Sequence, residues 1–468
     1  MSTTERPDPL TNSTFEERAA ISLAKPFLRQ AIPKATDHTV AALRARFADH
    51  DYDALREQGR QIRTAAIADL DTHLKEFESQ LLANGVHVHH AADARDARDT
   101  IRQIVRESGG TRVVKMKSMA SEEIDLNPAL EADGLTVTET DLGEYVVQLD
   151  GDRPSHIIAP IIHKTRAEVH ESLSKVAGYA LPEDPPSLTA FARATLRDAF
   201  LEADVGISGV NFGIAETGTI CLVSNEGNGR MSTSLPRVHI ALMGIERVVP
   251  KLEDLAVLLP LLSGAGTGQL ITTYVSLING PRREGEPDGP EEMHLVLLDN
   301  GRRALLGTPY QEALNCIRCG ACQNVCPVYR QVGGHAYGWV YGGPIGAVLT
   351  PLFRGQEDGG ELSHATSLCG ACDDICPVKI PLHDLLLSLR QDRVTSGNAP
   401  RSERIAADLW SYAWSHPLAY RLSARSARLA IGLMARRRAA PPWAAPIERW
   451  SRGRAMPMPA RRPWHRRG

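Results

Sequence analysis

The chain has 468 residues, of which 43% are hydrophobic and 23% charged, and its formal net charge is -3. This length predicts two to four domains, and the composition excludes extensive disorder. The first residues lack the apolar core of a secretory signal, and no run of about 18 apolar residues is present to span a membrane. We therefore expect a cytoplasmic protein.

The pattern of hydrophobic residues changes from helical to alternating along the first 300 residues. Up to residue 82, apolar residues recur at spacings of three or four, which predicts a helical lead-in. From there to about residue 300, β-branched runs alternate with amphipathic stretches such as PSLTAFARATLRDAFLEA, which predicts an α/β domain with a mostly parallel sheet. The predicted strands include RVVKMK, LTVTET, YVVQL, HIIAPII, GTICLVS, VHIALMGI, ERVVP, ITTYVSLI and HLVLLD. We expect INGPRREGEPDGPEE to be an exposed loop before the last strand.

Polar residues cluster near the ends of several predicted strands. They are Lys115, Lys117, Ser118, Glu122, Glu123, Glu139, Asp141, Glu144, Ser155, His156, His163, Lys164 and Glu216. Ligands of open α/β sheets bind at the carboxyl ends of strands, so these residues are candidates for a substrate site. Roles as helix caps or as solvated loop residues explain each of them equally well.

The run from Gly264 to Gly268 lacks a Walker lysine, so we predict a turn there.

Seven of the eight cysteines lie in two short blocks, which in a reducing compartment indicates metal binding rather than disulfides. The first block, Cys316-x-x-Cys319-x-x-Cys322-x-x-x-Cys326-Pro, matches the bacterial ferredoxin motif in every spacing. Its first three thiolates converge on one cubane, and the fourth cysteine points away. The eighth cysteine, Cys221, lies in an apolar run and is expected to be a buried strand residue.

The second block repeats the first as CGAC-x-x-x-CPV. In two-cluster ferredoxins the fourth cysteine of each block ligates the other cluster. That exchange predicts one site on Cys316, Cys319, Cys322 and Cys376, and a second site on Cys326, Cys369 and Cys372. Zinc also binds four thiolates, but the crossed grouping with a proline after the last cysteine favours two iron-sulfur clusters. Two sites that share ligands lie close together, which favours electron transfer over a purely structural role.

The second site lacks one thiolate because Thr366 stands at the position equivalent to Cys316. Two interpretations remain open at this point. Either the cluster is a cubane with water, a hydroxyl or another non-cysteine ligand on its fourth iron, or it loses that iron and becomes 3Fe-4S. His364 is near in sequence, but a packing role is the simpler explanation for a lone histidine.

Six segments together resemble the lactate utilization protein B family. They are KMKSMASEEI, ETDLGEYVVQL, PSHIIAPIIHK, GIAETGTICL, CIRCGACQNVCPVYRQVGGHAYGWVYGGPIGAVLTP and CGACDDICPVKIPL. The resemblance covers almost the whole chain. It implies an LUD domain, similar to the NagB/RpiA/CoA-transferase-like fold, and an α-helical ferredoxin domain whose clusters are held by the seven cysteines. It also implies a three-protein complex that oxidises L-lactate to pyruvate, and the threonine in the second site is itself typical of the family.

Four regions are therefore expected: a helical lead-in over 1–82, the LUD domain over 83–300, the ferredoxin domain over 301–395 and a basic tail over 396–468. From Arg401 onward the chain carries fifteen arginines, three acids and five of the six tryptophans. The rest of the chain is acidic, so we expect the tail to dock on acidic protein surface rather than on nucleic acid.

The sequence leaves three hypotheses about function open. The leading hypothesis is an electron-transfer subunit of a lactate-oxidising complex, with the other subunits and a redox partner as its partners. A second makes the chain itself an oxidoreductase, with substrate near Lys115, Lys117, Asp141, His156 or Glu216. A third is a redox sensor or assembly scaffold. The sequence assigns no catalytic residue.

Overall fold

The computed structural model describes residues 8–399 and 401–436, with side chains up to residue 429. The chain divides into two compact units, and the division falls between Arg393 and Val394. The lead-in, the sheets and the cysteine segment thus belong to one compact unit. The finer domain boundaries at residues 82 and 300 remain predictions.

The predicted helical lead-in is confirmed, with five helices between residue 8 and residue 83. They are α1 (Pro9–Asn12), α2 (Phe15–Leu23), α3 (Leu28–Arg46), α4 (Tyr52–Ala68) and α5 (Leu70–Ala83). Local signals fix some of the ends: Thr14 and Glu17 form a capping box at the start of α2, and Asp51 caps α4. The apolar face of α5, which includes the fully buried Phe77 and Leu81, packs into the core beneath the sheets.

In the part of the chain that the structure describes, ten strands form two sheets. They are β1 (His87–Ala91), β2 (Arg112–Lys115), β3 (Thr136–Glu139), β4 (Val205–Gly209), β5 (Phe212–Ile214), β6 (Thr219–Ser224), β7 (Val238–Gly244), β8 (Val248–Val249), β9 (Tyr274–Ile278) and β10 (Glu292–Leu298). The larger sheet has six strands in the order β1-β10-β7-β4-β2-β3, and all its neighbours are parallel. The smaller sheet has the order β8-β5-β6-β9 and is mostly antiparallel. Cys221 is buried in β6, as predicted.

Helices connect and cover the strands of the α/β part. They are α6 (Ala94–Ser108), α7 (Met119–Glu123), α8 (Leu126–Ala132), α9 (Leu142–Leu149), α10 (Arg166–Ala177), α11 (Pro185–Leu201), α12 (Asn228–Ser234) and α13 (Leu255–Thr267). The predicted α/β fold with a mainly parallel main sheet is thereby confirmed, and so is the amphipathic helix that became α11.

Three local predictions were wrong. The segment YVVQL belongs to helix α9, because Asp141 accepts hydrogen bonds from the backbone N–H groups of Gly143 and Glu144 and starts a helix. The segment HIIAPII forms turns, because the His156 ring captures two backbone N–H groups of that segment. The glycine run is the last turn of α13, which ends with Gly268 in the left-handed conformation at φ 73°.

The cysteine segment consists of short helices, as predicted for a ferredoxin-like region. They are α14 (Ala321–Val325), α15 (Tyr329–Val332), α16 (Gly343–Arg354), α17 (Gln356–Gly359), α18 (Ala371–Ile375) and α19 (Leu382–Thr395). The tail contributes α20 (Arg401–Ser415) and α21 (Pro417–Arg436), and the tail beyond residue 436 lies outside the described residues. Among the helices that the structure describes, none has the length and apolar character needed to cross a membrane.

Arg63 on α4 connects the helical lead-in to the α/β part and to the cysteine segment. Its guanidinium is 1% exposed and donates to the carbonyl oxygens of Leu314 and Asn315 at 3.1 and 3.3 Å, just before the first cysteine. It also donates to the carbonyl oxygen of Val248 at 3.0 Å and to that of Glu246. One buried side chain thus satisfies four buried carbonyl groups, which leaves the three segments little freedom to separate.

We predict that Arg63→Met lowers the free energy of unfolding by about 3 kcal/mol, because it leaves several buried acceptors without a donor. Anaerobic urea unfolding measures the change. The matched control is Arg60→Met on the same helix, which removes only an exposed pair with Glu57 and should cost less than ~0.5 kcal/mol. Equal effects of the two substitutions would contradict this role of Arg63.

Candidate metal centre

The two cysteine loops have the same backbone conformation. Arg318 and Leu368, each just before a cysteine, are left-handed at φ 59° and 52°. Gly320 and Gly370 follow at φ 75° and 78° and precede the short helices α14 and α18. The duplication seen in the sequence therefore extends to the left-handed residues that turn each loop around its cysteines.

Four cysteines from the two loops line one cavity. They are Cys316, Cys319, Cys322 and Cys376. The rest of the lining is apolar apart from Arg318, and it includes Ile157, Ile345 and Val378. Four thiol donors converging on one apolar cavity fit a sulfur-ligated iron-sulfur cluster, and the grouping is the crossed one expected from the sequence. The assignment of the individual ligands remains a proposal.

Backbone N–H groups point at sulfur atoms in both sites. Arg318 N lies 3.4 Å from Cys316 Sγ, and Ile380 N lies 3.3 Å from Cys376 Sγ. In the second site, Tyr329 N lies 3.5 Å from Cys326 Sγ. Such hydrogen bonds stabilise negative charge on sulfur and are one of the factors that set the potential of a cluster.

Burial favours the thiol form of Cys319 and Cys376 when no metal is bound. It raises the pKa of Cys376 to about 11, and it raises the pKa of Cys319 still further, with the nearby Cys376 and Cys316 adding to the shift. A buried thiolate without a cation is unfavourable, so binding of a positively charged metal and loss of the thiol protons are linked.

The second site differs from the first in its exposure. Burial raises the pKa of Cys326, and the neighbouring Cys369 raises it further, so these two cysteines lie near each other. Cys326 acts in the same way on Cys372. Cys369 is exposed, whereas the other six motif cysteines are buried. The second site therefore reaches the surface of the unit.

Thr366 takes the place of the missing cysteine in geometry as well as in sequence. Its Oγ1 accepts a hydrogen bond from Leu368 N at 3.1 Å, just as Cys316 Sγ accepts one from Arg318 N. The loop thus keeps its shape with a hydroxyl where the first site has a sulfur. A neutral hydroxyl is a much weaker iron ligand than a thiolate, so one corner of a cluster in this site would be weakly held.

We predict that Thr366→Cys makes the second cluster resistant to oxidative loss of iron. In the unchanged protein, ferricyanide should produce the electron paramagnetic resonance signal of a 3Fe-4S cluster, and the substitution should reduce that signal several-fold. Thr366→Ser, which keeps the hydroxyl, is the control and should behave like the unchanged protein. The interpretation of Thr366 is wrong if Thr366→Cys leaves the signal unchanged.

A network of buried charges adjoins the first site. It contains Arg63, Arg247, Arg302 and Arg318 together with Glu123 and Glu246. Arg302 pairs with both glutamates, and Arg318 lies 3.4 Å from Glu246. Burial opposes ionisation of Glu246, but the surrounding arginines lower its pKa to about 2. The described part of the network therefore has more positive than negative groups.

Arg318 is the member of this network that lies inside the first cysteine motif and lines the cavity. Its guanidinium lies 4.7 Å from the centre of the Tyr341 ring, and its Nε and Nη1 atoms are buried without a hydrogen-bond partner among the described residues. A buried cation with unsatisfied donors is costly unless negative charge lies nearby. A cluster with four thiolate ligands is anionic and would supply that charge.

We predict that Arg318→Gln lowers the midpoint potential of the first cluster by ~50–100 mV, because removal of a nearby positive charge favours the oxidised state. Redox titration followed by electron paramagnetic resonance measures the shift. Arg318→Lys, which keeps the charge, should shift the potential less. Equal shifts in both variants would mean that geometry, not charge, is responsible.

The candidate residues of the α/β domain have partners within the chain. Lys115 is buried and pairs with Glu139 at 2.8 Å and Glu122 at 3.2 Å. Lys117 donates to the carbonyl oxygen of Ile158 at 3.0 Å. Glu216 accepts from Leu252 N at 2.6 Å. Together with the capping role of Asp141 and the turn held by His156, these contacts give each candidate a structural role.

Three further candidates have other roles: one pairs with an arginine of the buried network, one caps a helix and one is a buried carboxyl group. Glu123 pairs with Arg302, and Ser118 caps α7. Glu144 is buried, and burial raises the pKa of its carboxyl well above the ordinary value, with Glu122 adding to the shift. Sequence reasoning missed Arg318, Arg302 and Glu246, although a charged residue inside the first cysteine motif was a signal for Arg318.

The fold and the two cysteine sites define an LUD-domain protein with a 4Fe-4S dicluster domain. Residues 74–298 match the family model of the LUD domain, and residues 312–380 match that of the 4Fe-4S dicluster domain. The chain thus carries iron-sulfur clusters in its C-terminal half. Both parts expected from the sequence are confirmed.

Full-length relatives give the family. The chain is 44% identical to lactate utilization protein B of Bacillus licheniformis, over 95% of this chain and 94% of that protein. It is 43% identical to the proteins of the same name from Shouchella clausii, over 97% and 96% of the two chains, and Bacillus subtilis, over 95% and 94%. The chain belongs to the lactate utilization protein B family.

A structural comparison matches a crystal structure of a DUF162 family protein from Deinococcus radiodurans. The match covers 49% of this chain and 98% of that chain, at 15% sequence identity and a TM-score of 0.28. A likeness this weak carries no argument about function.

Proposed function

We propose that the chain is the electron-transfer subunit of a multi-protein system that oxidises L-lactate to pyruvate, and that it passes electrons through two clusters. The observation that carries this proposal is the convergence of Cys316, Cys319, Cys322 and Cys376 from two duplicated loops on one cavity. The relatives named lactate utilization protein B support lactate as the substrate of the system.

Each cluster, when bound, would accept and release one electron at a time. The first site suits a cluster within the protein, since its four cysteines are buried and most of the cavity lining is apolar and excludes water. The second site suits exchange with a partner, since Cys369 is exposed. Cys326 and Cys376 each belong to one loop and to the other loop's site, which keeps the two sites close enough for electron transfer.

The α/β domain would act in this proposal as a support and a docking surface. The structural partners of Lys115, Lys117 and Glu216 favour this role over a substrate site in this chain. The oxidation of the hydroxy acid would then occur on a partner subunit, and the basic tail would dock on an acidic protein surface.

We predict that Cys319→Ala in the reconstituted complex lowers lactate-dependent reduction of an acceptor at least ~100-fold, because it removes a ligand of the first cluster. Rapid-mixing spectroscopy should also show that lactate no longer bleaches the cluster absorption. The matched control is Cys221→Ala, a buried cysteine outside the motif, which should keep the rate within about twofold.

The outcome separates this proposal from its alternatives. Full activity of Cys319→Ala would exclude a role of the first cluster in electron transfer. Turnover of lactate by the isolated chain would instead support a single-chain oxidoreductase. Loss of partner binding on cluster oxidation, with catalysis intact, would support a redox sensor or scaffold.

A further inference from the structure

Asp152, His163 and His335 bring three metal-binding side chains together outside the cysteine sites. Their ligand atoms all lie within 4.8 Å of one another. His163 Nε2 is 2.9 Å from Asp152 Oδ2, and His335 Nε2 is 3.9 Å from Asp152 Oδ1. Two ligands of a tetrahedral zinc ion lie about 3.3 Å apart, so both separations are close to those of a coordinated metal.

The three side chains come from two distant segments and remain accessible. Asp152 and His163 lie in the loop between α9 and α10, and His335 lies in the glycine-rich segment after α15. The side chains of Asp152, His163 and His335 are 33%, 9% and 32% exposed, so an ion could enter from solvent. The two imidazole rings are neighbours, with centroids 4.5 Å apart and planes tilted by 57°.

Ser155 orients the His163 ring from the side opposite Asp152. Its Oγ lies 2.7 Å from His163 Nδ1 and 3.3 Å from the carbonyl oxygen of Pro160. With a metal bound, the Ser155 hydroxyl would donate to Pro160 and His163 Nδ1–H would donate to Ser155. His163 Nε2, which donates a hydrogen bond to Asp152 without the metal, would then have its lone pair free to ligate the ion. A partner of this kind on the distal nitrogen is the usual companion of a metal-binding histidine.

The contacts of Lys164 and His335 would have to give way to a metal in this place, and Arg153 N also donates to Asp152 Oδ1 at 2.8 Å. Lys164 Nζ lies 3.2 Å from Asp152 Oδ2, but it also lies 2.9 Å from Asp150 and would keep that partner. His335 Nε2 donates to the carbonyl oxygen of Arg153 at 2.7 Å and would have to release it. Both competing contacts can therefore give way without leaving a charged group unpaired.

We propose that Asp152, His163 and His335 bind one divalent transition-metal ion, with two imidazoles and one carboxylate as a donor set suited to Zn²⁺. The ion would fasten a loop of the α/β domain to the ferredoxin domain next to the second cysteine site. The two segments already touch there, because Tyr329 donates from its hydroxyl to the carbonyl oxygen of Ser155 at 2.7 Å and from its N–H to Cys326 Sγ.

Equilibrium dialysis of the cluster-loaded full chain against Zn²⁺ under anaerobic conditions tests this proposal. Zinc and iron are counted together by mass spectrometry. We expect one zinc per chain with the cluster iron unchanged, and a loss of affinity on the order of 100-fold in both His163→Asn and His335→Asn. Lys164→Gln should tighten binding several-fold, because it removes the competing cation.

His89→Asn is the matched control, since His89 belongs to a separate histidine group with His87 and His294 on the sheet. It should leave the stoichiometry and the affinity unchanged. If a histidine variant of the site loses cluster iron, the near-isosteric Asp152→Asn replaces it. Zinc binding that survives these substitutions, or that disappears in His89→Asn, would overturn the proposal, as would the absence of bound zinc in the unchanged chain.

Discussion

The first cysteine site depends on holding two loops, far apart in sequence, around one cavity. Two arginines on α4, Arg63 and Arg56, each bind one of the two loops. Arg63 donates to the carbonyl groups just before Cys316, and Arg56 donates to the carbonyl oxygens of Cys376 and Asp373 at 2.8 and 3.0 Å. Seven residues apart, the two side chains lie on the same face of the helix. The helical lead-in is therefore part of the cluster-binding structure.

The two sites share a loop design but differ in their surroundings. The first site is buried and adjoins a network that contains more arginines than glutamates. This excess of positive charge favours the reduced cluster, which is the more negative of the two oxidation states. The second has a hydroxyl from Thr366 in place of a thiolate and reaches the surface at Cys369. Such a difference suits a relay in which one site exchanges electrons with a partner and the other lies within the chain.

The cysteine sites could be predicted from sequence because their chemistry is local. Loop spacing fixes which sulfur atoms converge, and the duplication shows which ones are exchanged. The parallel sheet was also predictable, since most of its buried strands are short apolar runs between helical patterns. YVVQL was misassigned because its composition outweighed the capping signal of Asp141, which was present in the sequence.

Contacts between distant segments could not be predicted in this way. No spacing relates Arg63 to the carbonyl groups that it binds, or Arg302 to Glu123 and Glu246. The same is true of His335, which meets Asp152 only in the folded chain. These pairings follow from tertiary packing, and a single sequence carries no periodic signal for them.

We propose above all that thiolates from two duplicated loops hold two neighbouring iron-sulfur clusters. Anaerobic protein, analysed for iron and acid-labile sulfide and examined by electron paramagnetic resonance after reduction, tests it most directly. The account predicts about seven to eight iron atoms per chain and a spectrum broadened by magnetic interaction between two reduced clusters. Colourless protein that contains zinc, or two clusters without magnetic interaction, would contradict it.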